Sequence, residues 1–132
     1  MDWVVDTSDS ERLRALRGDV VGYLRRHAAD DVGLDDCELV VSELITNVAR
    51  HAHGPVWVAV DWPGVHPTIR VADVGPGFDL AVELPSTESV SGRGLFIVNS
   101  IVSKLEASRR ASGGSIVTAT LPVARTPSVS ID

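Results

Sequence analysis

The segment 43–51, ELITNVARH, places polar side chains at helical spacing. At 3.6 residues per turn, four of them fall within an arc of roughly 100° on one side of a predicted helix. These four are Glu43, Asn47, Arg50 and His51. The opposite side carries Val41, Leu44, Ile45 and Val48. Mg²⁺ keeps several of its waters, so one amide oxygen and phosphate oxygens suffice to hold it, while a carboxylate stays free to act on a nucleophile. A helix that turns its polar residues to solvent explains this segment alone equally well.

The helix that contains this segment is predicted to begin at Asp35 or Asp36 and to end at His53, because Gly54 and Pro55 follow. The other predicted elements are a strand at 3–6, a helix at 10–29, strands at 56–62 and 68–73, a helix at 94–104, and strands at 105–108 and 115–122. Three residues offer a cap for the first helix, namely Thr7, Ser8 and Asp9. Hairpins outnumber crossovers in this order. We therefore predict a two-layer α/β sandwich with a mixed, mainly antiparallel sheet and the helices on one face.

The second candidate motif, Asp73-Val-Gly75-Pro-Gly77, follows a predicted strand. An aspartate there can accept a hydrogen bond from an exocyclic amine such as the adenine N6, and the glycines let the backbone approach a flat ligand. A strand that simply ends in an Asp/Gly turn is the alternative. The loop 74–91 that begins here is long for a compact domain, which favours a functional lid or a disordered segment.

Two further glycine motifs follow this loop. Gly92-Arg93-Gly94-Leu95 leads into a predicted helix, and the amino end of a helix attracts anions. Gly113-Gly114-Ser115 leads into the last strand and by itself predicts only a hairpin turn. The chain contains neither GxxxxGK[ST] nor GxGxxG, which excludes the P-loop and Rossmann interpretations.

Composition narrows the class of protein. The 132 residues fit one domain, and the net charge of -6 argues against nonspecific binding of nucleic acid. One cysteine, Cys37, excludes an internal disulfide and suits a reducing compartment. The acidic start is unlike a signal peptide, and the apolar runs are too short to cross a membrane. We expect a cytoplasmic protein whose partners are proteins or small molecules.

The joint order of these motifs resembles the ATPase domain shared by gyrase B subunits, heat-shock chaperones, mismatch-repair proteins and sensor histidine kinases, the GHKL superfamily with its Bergerat-type fold. The resemblance covers about residues 36–122, and the first strand and helix also fit. It implies one ATP-binding domain at 1–123 and a disordered tail at 124–132. The segments SELITNVARHA and GRGLFIVNSIVSKLEA are particularly similar to stand-alone anti-sigma factor serine/threonine kinases. We expect no preceding dimerisation segment with a phosphoacceptor histidine.

The resemblance also implies roles for individual residues. Glu43 would be the general base toward a serine or threonine hydroxyl, and Asn47 would bind Mg²⁺. Phosphates would be contacted by Arg50 or His51 and by the segment Gly92, Arg93, Gly94 and Leu95. The adenine would be held by Asp73, Gly75, Gly77 and Ser115. Ser115 stands where the family usually has threonine, and the lid before Arg93 carries no lysine or arginine.

The function implied is an anti-sigma factor kinase that binds Mg²⁺ and ATP, binds a sigma factor and phosphorylates an antagonist protein. The alternative is a non-catalytic, ATP-dependent module that sequesters a regulatory partner. The resemblance further suggests a homodimer. The outer side of the first helix carries Arg12, Arg14, Arg17, Arg25 and Arg26, which predicts either a charged face turned to solvent or a docking surface for the partner. No nucleic acid and no membrane are expected as partners.

Overall fold

Strands form where apolar and polar residues alternate, and helices form where apolar residues recur every three or four positions. The computed structural model describes residues 1–51, 54–73, 98, 102, 104–109 and 114–125. Its elements are β1 (Asp2–Asp6), α1 (Ser10–His27), α2 (Leu34–His51), β2 (Pro55–Asp61), β3 (Thr68–Asp73), β4 (Lys104–Arg109) and β5 (Ser115–Thr120). The strands form one sheet in the order β1-β2-β3-β5-β4. The predicted two-layer α/β class is confirmed.

The sheet differs in one respect from the prediction of a mixed sheet. All four strand pairs among the described residues are antiparallel. The chain leaves β3 and returns as β4 at the sheet edge, and β5 then fills the position between them. Because β4 and β5 are consecutive, they pair as a hairpin, which makes that pair antiparallel.

The amino end of helix α1 is capped by one of the three candidate residues. The side chain of Asp9 accepts a hydrogen bond from the Arg12 amide at 3.1 Å, which satisfies one of the unpaired donors of the first turn. The helix ends at His27, two residues before the predicted end, because Ala28 is already extended at φ -74° and ψ 147°. Lys104, predicted as the last residue of a third helix, lies instead in β4.

The core lies between the helices and one face of the sheet. β2 contributes Val56, Val58 and Val60, each with no exposed surface. Helix α2 contributes the apolar residues of its inner side, namely Cys37, Val40, Val41, Leu44, Ile45 and Val48. Burial raises the pKa of the Cys37 thiol to about 12, and the charge of Asp36 adds to that effect. This cysteine is therefore a core residue and not a reactive thiol.

The end of the described chain extends beyond the predicted domain boundary. Ala124, placed in the expected tail, accepts a hydrogen bond from the Ala29 amide at 2.9 Å, and the Arg125 amide donates to the Val65 carbonyl at 2.8 Å. Residues 126–132 lie outside the described part. Among the described residues, no helix combines the length and the apolar character that crossing a membrane requires.

Candidate functional site

The polar stripe of α2 is not turned to bulk water along its whole length. Asn47 is only 5% exposed, although its side chain is polar. Val40 lies two turns earlier on nearly the same side of the helix and has no exposed surface. Asn47 therefore lies at the boundary between the polar stripe and the side that faces the core. Within the described part of the chain, its Oδ1 has no hydrogen-bond partner.

The other stripe residues are more accessible than Asn47. Glu43 lies one turn earlier and is partly buried, whereas Arg50 is exposed. His51 is the last residue of α2, and its side chain lies outside the described part. The helix thus presents a partly covered carboxylate beside a buried amide, with a cation one turn further along.

Asp73 is a buried carboxylate at the end of a strand. It is the last residue of β3 and is 1% exposed. Because side chains alternate along a strand, Asp73 shares the helix-facing side with the buried residues Ile69 and Val71. Burial of a carboxylate is costly unless it is hydrogen-bonded or engages a ligand. Asp73, which has an interaction partner within the protein, remains the predicted adenine-binding residue.

Ser115 lies beside Asp73 across the sheet. The last recorded pair between β3 and β5 is Ala72 with Ile116, and extending this antiparallel register by one pair puts Asp73 opposite Ser115. Ser115 is 1% exposed, and no described residue is a hydrogen-bond partner of its Oγ. Two buried oxygen-bearing side chains thus lie on neighbouring strands at the same end of the sheet, which we call the Asp73–Ser115 edge.

The carboxyl end of α2 comes to the same edge. Only three residues separate His51 from Pro55, the first residue of β2, and the neighbouring Val56 pairs with Asp73. The structure thereby brings the end of the polar stripe close to the edge that carries Asp73 and Ser115. The sequence predicted each motif, but only the strand pairing places them together.

The end of β1 supports this edge. Asp6 pairs with Pro55, and its carboxylate accepts hydrogen bonds from the Ser8 hydroxyl at 2.7 Å and the Ser8 amide at 2.9 Å. These two bonds lower the pKa of Asp6, the hydroxyl contributing more than the amide. Asp6 is an exposed residue whose carboxylate stabilises the turn that follows β1.

One residue at the edge was not singled out from the sequence. Arg109 pairs with Ser115 in the register of β4 and β5. Arg109 is the last residue of the edge strand β4, so a basic residue stands opposite Ser115 on the neighbouring strand. The motif Gly113-Gly114-Ser115 could have indicated it, since a hairpin pairs the strand before its connection with the strand after it.

The remaining predicted site residues lie outside the described part of the chain. They are Gly75, Gly77, Gly92, Arg93, Gly94 and Leu95. Near them, Val98 is helical and buried, and its carbonyl accepts a hydrogen bond from the Val102 amide at 3.0 Å. This single turn lies within the predicted helix 94–104.

The available oxygens fit a magnesium nucleotide. Among the described residues, no group of three or more acidic, histidine or cysteine side chains is arranged to hold a metal ion. A buried amide oxygen without a partner suits a hard cation that takes most of its remaining ligands from phosphates and water. A buried carboxylate and a hydroxyl at the sheet edge suit the amine and ring nitrogens of a base.

Comparison with known proteins identifies the family of the chain. The model of the histidine kinase-like ATPase domain family matches residues 7–121, and the chain belongs to that family. Domains of the GHKL superfamily, which includes this family, bind ATP, usually with Mg²⁺. No curated protein matches the chain in sequence.

Solved structures of histidine kinases share the fold. The histidine kinase domain of the Erythrobacter litoralis EL346 blue-light activated histidine kinase superposes with a TM-score of 0.58 at 22% identity, covering 84% of this chain and 65% of that one. Acinetobacter baumannii histidine kinase AdeS gives 0.55 at 18% identity, with 92% and 66% covered. The mycobacterial sensor histidine kinase MprB gives 0.53 at 19% identity, with 95% and 99% covered. The chain thus spans about two thirds of the first two structures.

Proposed function

We propose that this chain is a regulatory serine/threonine protein kinase that binds Mg-ATP between α2 and the Asp73–Ser115 edge and phosphorylates an anti-sigma antagonist. The observation that carries the proposal is the buried Oδ1 of Asn47, which has no partner among the described residues. A buried polar atom without a partner destabilises the folded chain by about 1–3 kcal/mol. Binding of a metal–phosphate group at this position would recover that free energy.

Each residue then has a separate task. Asn47 would bind the Mg²⁺, while Asp73 and Ser115 would hold the base at the sheet edge. Arg50 and His51 would contact the phosphates, together with the segment 92–95, and Gly75 with Gly77 would shape the base pocket. Bound Mg-ATP supplies the phosphoryl group, and the protein supplies positioning and charge neutralisation.

Glu43 is the proposed general base. It lies one helical turn from Asn47 and is partly exposed, so its carboxylate is accessible to a hydroxyl group of another protein. Its helix is anchored by buried neighbours such as Leu44, which fixes the backbone at this position. A fixed carboxylate near the phosphates could accept the proton of a serine or threonine hydroxyl as the new phosphoester bond forms.

A non-catalytic module is the alternative function. Three of the residues proposed to bind the nucleotide are almost completely buried, at 5% for Asn47 and 1% each for Asp73 and Ser115. The proposed base is not part of this buried set. Nucleotide binding could therefore persist without phosphoryl transfer and serve only to sequester a partner.

The docking surface for the protein partner is proposed to be the groove between α1 and α2, which we call the helix groove. It has a volume of about 360 Å³ and is lined by Leu13, Arg14, Arg17, Ser42, Ile45, Thr46 and Ala49. Arg17 Nη1 donates to Ser42 Oγ at 3.4 Å, which links the two helices. Two arginines over an apolar floor in a chain of net charge -6 favour an acidic, partly apolar segment of a sigma factor or antagonist.

Phosphoryl transfer tests the proposal directly. The chain is mixed with labelled ATP, Mg²⁺ and candidate antagonists, and Glu43→Gln is compared with Glu38→Gln, an exposed control on the same helix. We expect transfer by the wild type and the control, and a loss of about 100-fold or more in Glu43→Gln with nucleotide binding kept. Binding without transfer by the wild type leaves the non-catalytic function. If Mg-ATP does not bind, both the kinase function and the non-catalytic alternative are wrong.

Docking is tested separately. Arg14→Glu with Arg17→Glu changes the charge of the helix groove, and Arg12→Glu with Arg25→Glu makes the same change outside it. We expect partner affinity to fall about tenfold or more in the first variant and to change little in the second. Equal affinities would show that the partner binds elsewhere.

A further inference from the structure

A second cavity lies at the end of the sheet away from the candidate nucleotide site. It has a volume of about 340 Å³ and is lined by Tyr23, Arg26, His27, Trp62 and Arg125, which we call the aromatic cavity. Trp62 follows the last residue of β2, whereas Asp73 pairs with Val56 at its beginning. Six residues of extended strand separate these positions by about 20 Å. The aromatic cavity is therefore distinct from the Asp73–Ser115 edge.

The walls of the aromatic cavity belong to a continuous series of rings. Trp3 and Tyr23 meet edge to face, with centroids 6.1 Å apart and an interplanar angle of 80°. Tyr23 and His27 follow at 4.5 Å, and His27 and Trp62 at 6.3 Å with an angle of 61°. Edge-to-face and tilted contacts are the arrangements that aromatic pairs favour.

Hydrogen bonds hold the Trp62 side of the cavity in place. The indole Nε1 of Trp62 donates to the Val65 carbonyl at 2.9 Å, which fixes the ring. Arg125 Nη1 donates to the Trp62 carbonyl at 3.0 Å, and the Arg125 amide donates to the Val65 carbonyl at 2.8 Å. An isolated antiparallel β-bridge between Arg125 and Ala28 joins this segment to the end of α1. A rigid wall loses little conformational entropy when a ligand binds.

The charge of the aromatic cavity is of one sign. Two of its five lining residues are arginines, and none of the described lining residues is acidic. The whole chain carries a net charge of -6, so this cavity departs from the average surface. A guanidinium offers five donors in a planar fork that matches carboxylates and phosphates. Arg125 uses Nη1 for Trp62, which leaves donors of its other nitrogens for an anion.

We propose that the aromatic cavity binds a small organic anion that carries a planar ring, either an aromatic carboxylate or a nucleoside monophosphate. The anionic group lies between Arg26 and Arg125, and the ring lies against His27 and Trp62. The volume is near the lower end of the range of about 300–1,000 Å³ for small-molecule pockets, which suits a ligand of one or two rings.

The test follows binding at the cavity itself. The probes are indole-3-acetate and guanosine 5′-monophosphate, with benzyl alcohol as a ring without charge and acetate as a charge without a ring. Chemical shifts of the Trp62 indole and the Arg125 amide are followed in the full chain. We expect saturable shifts for at least one probe and not for benzyl alcohol or acetate. The probe that binds distinguishes the carboxylate from the phosphate ligand.

Variants identify the charged contacts. We expect Arg26→Gln and Arg125→Gln each to weaken binding about tenfold, the effect of losing one charge-assisted contact, while Arg25→Gln, which is adjacent but does not line the cavity, leaves it unchanged. Arg26→Gln keeps the test informative if Arg125→Gln disturbs the fold. No saturable shift up to about 10 mM of either probe, or equal binding by both variants and the control, would overturn the proposal.

Discussion

Thr7 and Gly54 are hydrogen-bonded to each other in both directions. The Thr7 amide donates to the Gly54 carbonyl at 3.0 Å, and the Gly54 amide donates to the Thr7 Oγ1 at 3.0 Å. The two residues are 47 positions apart and join the end of β1 to the segment between α2 and β2. This pair therefore fixes the exit of the helix that carries Glu43 and Asn47.

The side-chain half of this pair contributes to stability. Thr7→Ala leaves the Gly54 amide without its acceptor, so we expect a loss of about 1 kcal/mol in the free energy of unfolding, measured by urea denaturation. Thr7→Ser keeps the hydroxyl and is expected to lose clearly less. If the serine variant loses as much as the alanine variant, the hydroxyl is not responsible.

Two glycines are required for different reasons. Gly54 has φ +101° with open space at the Cβ position, whereas Gly33 has φ +85° and a Cβ there would collide with the carbonyl oxygen of Pro122. We expect Gly54→Ala to cost about 1–2 kcal/mol from backbone strain, and Gly33→Ala about 3 kcal/mol or more because overpacking adds to it. Gly64→Ala, which meets neither obstacle, is the control in the same urea series. A Gly33→Ala variant as stable as Gly54→Ala would contradict the close approach.

The amide of Asn47 is expected to lower the stability of the ligand-free protein and to contribute to binding of Mg-ATP. Asn47→Leu replaces a buried amide, whose oxygen has no partner among the described residues, by an apolar group of the same branched shape. We expect the ligand-free protein to become more stable by about 1–2 kcal/mol and Mg-ATP binding to be lost, measured by denaturation and by calorimetry. Asn47→Asp keeps an oxygen at the position and is the matched variant for binding. Unchanged nucleotide affinity in Asn47→Leu would remove this residue from the site.

Because of Cys37, we expect the free energy of unfolding to depend on pH in the alkaline range. Burial raises the pKa of its thiol from 9.0 to about 12, so the thiol ionises more readily in the unfolded chain than in the folded one. The contribution of the neutral, buried thiol to the free energy of unfolding is complete below about pH 9. It is lost as the pH rises from 9 toward 12, at up to about 1.4 kcal/mol per pH unit.

The measurement is the free energy of unfolding against pH in the wild type and in Cys37→Ala. Other groups titrate in both proteins, so the difference between the two curves isolates the thiol. We expect this difference to change with pH only above about pH 9. Parallel curves over the whole range would mean that the thiol is not shielded in the folded state.

The predicted elements follow mainly from local signals. β3 at 68–73 was predicted with the observed limits, and α2 was predicted within about two residues at its start, because alternation and helical spacing are properties of neighbouring residues. Asp73 was likewise recognised as the end of a strand. The choice among three possible caps depends partly on a distant contact, since Thr7 is used by Gly54. Ser8 is used locally by Asp6, which leaves Asp9 for the helix.

The sequence by itself determined that one side of α2 carries a carboxylate, an amide and basic groups, and that a strand ends in an aspartate. Only the tertiary structure decided that Asn47 is buried while Arg50 is exposed, and that β5 lies between β3 and β4 so that Ser115 comes beside Asp73. The physical reason is the range of the interactions. Periodicity arises within a few residues, whereas burial of one edge of a helix and the order of strands depend on contacts between segments far apart in the chain.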